Sequence, residues 1–535
     1  MTTVAARTKS PIELGVSLKG ASPLIRNLKA PTLSGTRARL EFQFPMFGFH
    51  DLLESPANPS RPMPSSRRQF LRRSTVTTAF LGLSRFSVRT TQAAPGEEGF
   101  RYGNLVPDPK RIFDLPRGFK YKVIGRAGDF MDDGLRIPGR TDGMGAFPGP
   151  GGKTILVRNH ELEKHHTFIG PFGLQNELLE KIDTSCIYDA GQMQTPHLGG
   201  TTTIVIDTNT QEVERQFLSL VGTCRNCAGG ETPWNSWISC EESVDRAAAP
   251  DEPEDKNKNE KNHGWVFEVP ATIEPGLTKP VPLKAMGRFN HEAVAIDPRS
   301  GIVYLTEDRN SGLLYRFIPN KKQELTAGGK LQFLVIDTGA AGTGKGTDTR
   351  NWEELGPEPF PLREPHKVRW LDIDNVDSLD DDMRKRGFDM GGARFARGEG
   401  IWFGNGELYF ACTNGGTKQW GQIFRYRPSE AEGTAGEDAK PGEIELFLEP
   451  NDKAVLHGAD NLTIAPWGDI VFCEEGPRNA RLQGVTRQGA VYSIGRNHYN
   501  SSELAGVCFS PDGSTLFANI YDPGITIAVT GPWMG

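Results

Sequence analysis

The stretch AVAIDPRSGIVYLTED, from Ala293 to Asp308, decides the fold. It reads as a short apolar strand, a turn carrying Asp297, Pro298 and Gly301, a second apolar strand, and an acidic end. The same grammar recurs in AFPGPGGKTILVRNHE (Ala146 to Glu161), AGGETPWNSWISCEE (Ala228 to Glu242) and GIWFGNGELYFACTN (Gly400 to Asn414). It returns in LTIAPWGDIVFCEE (Leu462 to Glu475) and VCFSPDGSTLFANI (Val507 to Ile520). Each segment predicts a β-hairpin. Six such hairpins, tens of residues apart with outer strands between them, predict an all-β chain folded as a six-bladed β-propeller with variable loop insertions. On pattern alone, unrelated hairpins in a β-sandwich stay open.

Shortly before each first strand stands another polar residue: Asp142, Cys227, Glu292, Glu399, Asp460 with Asn461, and Glu503. The innermost strands of a propeller run along its channel, so equivalent ends converge on one rim. The sequence thus predicts a ring of carboxylates with one thiolate. Crowded, buried carboxylates repel, and such a ring needs cations. Histidine is scarce at these positions, which argues against a typical zinc site. Oxygen ligands suit calcium, while a lone thiolate suits iron or another transition metal. Bound metals would then hold an anionic substrate despite the net charge of −6.

Arg397 lies two residues before Glu399, so in extended chain both project the same way. A guanidinium beside metals is a bidentate partner for phosphate or carboxylate. An exposed arginine, or a plain ion pair with Glu399, is the alternative. Asn159 and Asn226 are candidate amide donors to the same anion, or caps of their turns.

With 535 residues, 37% of them hydrophobic, the chain is long enough for a large core. Its 62 glycines and 38 prolines, with few helical patterns, favour strands and turns. Its acidic balance gives no reason to expect nucleic acid. Cys224 and Cys227 form a CxxC pair, but no second CxxC or His pair follows at finger spacing, and the βαβ setting of a redox dithiol is missing. The two are better split, Cys227 to the ring and Cys224 as a structural neighbour. GAAGTGKGT (Gly339 to Thr347) imitates a phosphate-binding loop, yet has Gly346 where Ser or Thr is needed and no convincing helix after it. The polar stretches Pro250 to His263 and Arg427 to Gly442 are expected to be solvated loops.

Near the N-terminus, Ser66-Arg67-Arg68-Gln69-Phe70-Leu71 precedes an apolar run from Thr75 to Val88 and the small-residue stretch Thr91 to Ala94. That is the layout of a twin-arginine signal, which exports folded proteins. The run is too short for a membrane span and contains Arg85. The expected organisation is a gene-model extension or disordered segment over 1–62, a signal peptide over 63–95 starting at Met63, and one propeller over 96–535. The expected location is periplasmic or secreted, the expected partner there is the twin-arginine machinery, and the protein itself is expected to be a monomer.

The signal, together with DGMGAF (Asp142 to Phe147), RNHE (Arg158 to Glu161), NCAGGETPW (Asn226 to Trp234), SCEE (Ser239 to Glu242), GRFNHEA (Gly287 to Ala293), RGEG (Arg397 to Gly400) and the C-terminal FSPDGSTLFANIYDPGITIAVTGPW, resembles the PhoX-type alkaline phosphatases from about Tyr102 onward. The resemblance implies a six-bladed propeller holding iron (Fe3+) and calcium (Ca2+) on its axis and hydrolysing phosphomonoesters, in some members diesters. It makes Cys227 an iron ligand, Glu242, Glu292 and Glu399 metal ligands, and Arg397 the binder of the phosphoryl group. Glu161, Glu241, Glu307, Asp460 and Glu474 are further ligand candidates from the repeat. The rival readings are a calcium-dependent propeller lactonase or organophosphate hydrolase, which would need no thiolate, and a non-enzymatic binding propeller stabilised by calcium.

Overall fold

Every one of the six hairpins forms, and each seeds a sheet. In the computed structural model, which describes residues 101–249, 259–337, 346–476 and 478–533, the sheets follow one another as blades. Residues 1–62 and 63–95, expected to be an extension and a signal peptide, and most of the Gly339 to Thr347 loop lie outside the described residues.

The first blade runs outward through Thr141–Gly149, Lys153–His160, Gly199–Asp207 and Val213–Thr223. The second has three strands, Asn226–Glu231, Ser236–Glu241 and Val266–Pro270. The third has His291–Ile296, Val303–Glu307, Leu314–Pro319 and Gly329–Ile336. The fourth has Gly398–Gly404, Glu407–Cys412, Gln422–Arg427 and Glu443–Leu448, and the strand His366–Asp372 joins the outer edges of these two blades. The fifth has Ala459–Ile464, Ile470–Glu474, Arg481–Val485 and Val491–Asn497, extended by Phe113–Pro116. The sixth has Leu504–Phe509, Thr515–Ile520 and Ile525–Thr530, and its outer strand, Lys120–Arg126, comes from the N-terminal side of the chain.

That last pairing closes the ring: the last blade takes its fourth, outer strand from the segment that precedes the first. The innermost strands touch in cyclic order, and the sixth meets the first. They approach closely because their contact points are small. A Cβ on Gly229 would lie 1.9 Å from the Ile238 carbonyl oxygen, and one on Gly230 2.0 Å from that of Val294 in the next blade. Gly230 therefore serves the packing between blades, and Gly229 the close approach inside its own hairpin. Apolar side chains fill the wedges, such as Tyr304, Leu334, Phe395 and Phe424 between the third and fourth blades.

Two insertions are less exposed than their composition suggests. In the second, Glu432 is buried, where it accepts hydrogen bonds from Tyr304, Arg316 and Tyr426. In the first, the described end from Asn259 to His263 is tied down, and His263 is fully buried. Buried charge survives where it is paired: Glu432 meets Arg316 of the third blade, and His263 meets Asp189 of the first.

Candidate metal and phosphoryl site

One local geometry is repeated at the start of every inner strand. In each first hairpin the ladder slips by one residue, after Thr141, Asn226, His291, Gly398, Ala459 and Ala505. Such a bulge turns the next side chain out of the ladder. In the first five blades that next residue is Asp142, Cys227, Glu292, Glu399 or Asp460, so the predicted ring has a common backbone cause. In the sixth blade it is Gly506, where a Cβ would come within 2.2 Å of the Asp142 carbonyl oxygen. Glu503 therefore reaches the axis from outside the repeat position; its place in the ring by sequence equivalence is corrected.

The residue before each ladder start is also repeated. Arg140, Arg225 and Arg397 have φ of 45°, 51° and 52°, and Gly458 has φ 69°. Their carbonyl oxygens accept the backbone N–H of Glu161, Glu242, Thr413 and Glu475, and Asn290 accepts that of Asp308, all at 2.8–3.1 Å. This left-handed kink throws the side chain back over the preceding blade. Arg225 pairs with Glu161 of the first blade at 2.9 Å and with Glu242 of its own. Asn290 donates to Glu242 of the second at 3.4 Å. Arg397 makes a two-pronged contact with Asp308 of the third, at 2.9 and 2.8 Å, and reaches Glu399 at 2.9 Å and Glu475 at 2.8 Å. Arg140 lies 5.8 Å from the Tyr521 ring of the sixth and has no carboxylate partner among the described residues.

The outgoing strands end in an alternation. His160 and Glu161, Glu241 and Glu242, Glu307 and Asp308, and Glu474 and Glu475 are successive residues, so they face opposite ways. The first of each pair looks into its blade. Glu241 accepts from the backbone of Cys224, Gly264 and Trp265 and from His263. Glu307 accepts from Leu313 N–H, Tyr315 and Arg384. Glu474 accepts from His457 N–H, Gln483 and Arg481. Glu241, Glu307 and Glu474 are thus corrected from axial candidates to blade anchors, because each turns into its own blade onto those donors. The second members, Glu161, Glu242, Asp308 and Glu475, face the arginines and the ring. Asp308 and Glu475 escaped the sequence reading, which saw the acidic doublets but could not tell which member faced inward.

Asn159 and Asn226 are likewise corrected. Asn159 is buried, donating to the carbonyls of Cys227 and Ala228 at 3.2 and 2.7 Å and accepting from Trp237 and Ser239. Asn226 accepts from Thr223 and donates to Ser239. Both amides hold the backbone that carries Cys227. Their hydrogen bonds tie the strand of Cys227 to its neighbours, and they are positioning groups.

What remains converges into two clusters. Donor atoms of Glu161, Cys227 and Glu242 lie within 4.8 Å of one another, as do those of Glu292, Glu399 and Asp460. The Cys227 sulfur is 3.2 Å from Glu242. At an effective dielectric of about 20, two like charges at that limit repel by roughly 3 kcal/mol. Burial, and then repulsion from neighbouring acids, raises the carboxyls of Asp142, Glu292 and Glu399 well above their ordinary range. It lifts Glu242 and Asp460 to about 8 and Glu503 to about 9. The Cys227 thiol is raised by burial and by Glu242. Burial opposes the charge on Arg397, but Glu399, Asp308 and Glu475 outweigh it and hold the guanidinium charged. A buried donor set this acidic, with Arg225 and Arg397 as its paired cations, fits bound metal ions: oxygen donors in one cluster and a thiol with oxygen donors in the other.

No curated protein matches the chain. Among solved structures, a gluconolactonase from Xanthomonas campestris aligns at 12% identity over 80% of this chain and 98% of its own, with a TM-score of 0.32. A luciferin-regenerating enzyme aligns at 10% identity over 77% and 96%, with a TM-score of 0.35. The alkaline phosphatase PhoX family matches residues 100–215 and 201–524. The chain belongs to the PhoX family of alkaline phosphatases, phosphoric monoester hydrolases.

Proposed function

We propose that this protein is an exported phosphatase that hydrolyses phosphate monoesters, with diesters as further candidate substrates, at metals held on the propeller axis. The observation that carries the reading is the convergence of Asp142, Cys227, Glu292, Glu399 and Asp460 with Arg397 on one rim. Glu161, Cys227 and Glu242 would hold iron, and Glu292, Glu399 and Asp460 calcium, by the softness of their donors. Bound there, the cations would supply Lewis acidity toward the phosphoryl oxygens and lower the pKa of an attacking water.

The chain's own residues do the rest. Asp308 holds Arg397 in a fixed fork, and four of its five N–H groups are engaged; one on Nη1 has no acceptor among the described residues and can meet a phosphoryl oxygen. Such a donor, set in place before the substrate arrives, stabilises charge growing on the phosphoryl group. Arg140, on the same rim and without a carboxylate partner among the described residues, offers a second positive charge to an incoming anion. Asn159 and Asn226 keep the Cys227 backbone in place. The twin-arginine stretch supports a periplasmic or secreted location. No helix among the described residues is long and apolar enough to cross a membrane.

The test is p-nitrophenyl phosphate hydrolysis with added calcium and with chelator, alongside iron analysis of wild type and Cys227→Ser. Calcium-dependent turnover is expected, with iron and activity both lost in the variant. Active enzyme holding calcium but no iron would overturn the iron assignment, and no turnover in calcium would overturn the phosphatase reading.

A further inference from the structure

A second cluster lies away from the axis. Asp189 and His197 stand in the long connection between the second and third strands of the first blade, and His263 stands just before the third strand of the second blade. All three are buried, and one donor atom from each lies within 4.8 Å of the others. Neither the twin-arginine segment nor the axial ring involves them.

The hydrogen bonds around the two imidazoles leave His197 Nδ1 without a partner among the described residues and give His263 Nε2 only a long contact to Asp189. Asn259 Oδ1 is 2.7 Å from the Lys164 ammonium and 3.0 Å from His197 Nε2. An atom that accepts from an ammonium is the amide oxygen, so the His197 proton it receives sits on Nε2. His197 Nδ1 then carries a bare lone pair, and it has no partner among the described residues although it is buried. A buried acceptor left without a donor costs roughly 1–3 kcal/mol.

His263 is held in the matching way. Its Nδ1 faces Glu241 at 2.6 Å, and its Nε2 faces Asp189 Oδ2 at 3.4 Å. The second distance is long for a charge-assisted hydrogen bond, which is about 2.7–2.9 Å. It is close to the separation of two ligands on a tetrahedral ion with bonds near 2.0–2.1 Å, roughly 3.3 Å. Imidazoles that bind metals characteristically give their other nitrogen to a carboxylate or carbonyl, and here Glu241 and Asn259 take those roles. Both outer partners are themselves fixed: Glu241 by the N–H groups of Cys224, Gly264 and Trp265, and the loop of Asn259 by Asp189, which accepts from Glu260 and Lys261 N–H at 2.8 and 3.0 Å.

We propose that Asp189, His197 and His263 form a binding site for a divalent cation of zinc-like chemistry, which staples the insertion of the first blade to that of the second. Two imidazoles and one carboxylate suit zinc or cobalt, and are unlike the oxygen-rich axial set. Through Glu241 the staple braces the strand end that carries Glu242. The site is separate from the phosphatase reading and stands or falls without it.

Cobalt serves as the probe. Full-length wild type, His197→Gln and Cys227→Ser are stripped with chelator, saturated with calcium and dialysed against cobalt. Wild type is expected to hold one equivalent more than His197→Gln, with visible ligand-field bands in the difference spectrum, and Cys227→Ser is expected to keep those bands even if it loses axial cobalt. Equal cobalt in wild type and His197→Gln would overturn the proposal, and so would loss of those bands in Cys227→Ser. Should His197→Gln fail to fold, anomalous scattering at the cobalt edge from wild-type crystals decides. A peak among Asp189, His197 and His263 supports the site, and a map empty there refutes it.

Discussion

Removing the axial metals has a pH-dependent cost that the structure allows to be worked out. In the metal-free chain, burial and then the repulsion of Asp308 raise Glu242 from 4.5 to about 8. A carboxyl raised in the fold favours its protonated form there. Its contribution to stability is present below the unfolded value and lost as pH rises through about 8. At about 1.4 kcal/mol per pH unit, Glu242 alone loses about 3 kcal/mol between pH 6 and 8. Asp460, raised to about 8, and Glu503, raised to about 9, act in the same direction. They are half-buried and share their repulsion with other acids, so a discounted total near 5 kcal/mol is expected. Unfolding entropy of about 2.1 cal/mol/K per residue, over roughly 430 residues, makes this about 5 °C. Scanning calorimetry at pH 6 and 9, with chelator or with calcium, measures it. The metal-free Tm should fall by about 5 °C from pH 6 to 9, and the calcium-loaded Tm by clearly less. A metal-free Tm that is unchanged or higher at pH 9 would refute the reasoning.

The alternation at the strand ends makes neighbours separable. Glu474→Gln breaks a buried pair with Arg481, with an expected loss of about 3 kcal/mol by denaturant unfolding and little change in kcat per folded molecule. Glu475→Gln instead loosens Arg397, and a tenfold or greater fall in kcat/KM with nearly unchanged unfolding is expected. Asn159→Ala strands the Trp237 indole and two carbonyls; urea unfolding should show a loss of about 2–4 kcal/mol, with weaker iron retention and little effect on KM. Arg140→Ala should raise KM for a phosphomonoester several-fold at low salt with kcat within about twofold, and steady-state kinetics in high salt should erase the difference.

Much of the architecture was legible because a propeller repeats its physics. Alternating apolar residues around Gly, Asn and Pro turns specify hairpins locally, and six of them in one chain, despite the irregular insertions between them, leave few ways to bury their faces. Asp142, Cys227, Glu292, Glu399 and Asp460 could be aligned by their distance from those hairpins, since the distance along the chain is preserved from blade to blade. Glu503 fell out of the alignment because the sixth bulge starts at Ala505 and puts Gly506 in the ring position. A one-residue slip is invisible in composition and changes which side chain faces the axis.

The sequence by itself determined the hairpins, the ring of acids with one thiol, and the proximity of Arg397 to Glu399, because these depend on local spacing and pattern. Only the tertiary structure decided between Glu241 and Glu242, Glu307 and Asp308, and Glu474 and Glu475, since neighbours of like chemistry differ only in the face they present. It also decided that Asn159 and Asn226 are spent on the backbone around Cys227, and that Asp189, His197 and His263 meet. Those contacts join segments distant in the chain, and their energetics depend on which donors are left unpaired when the blades close.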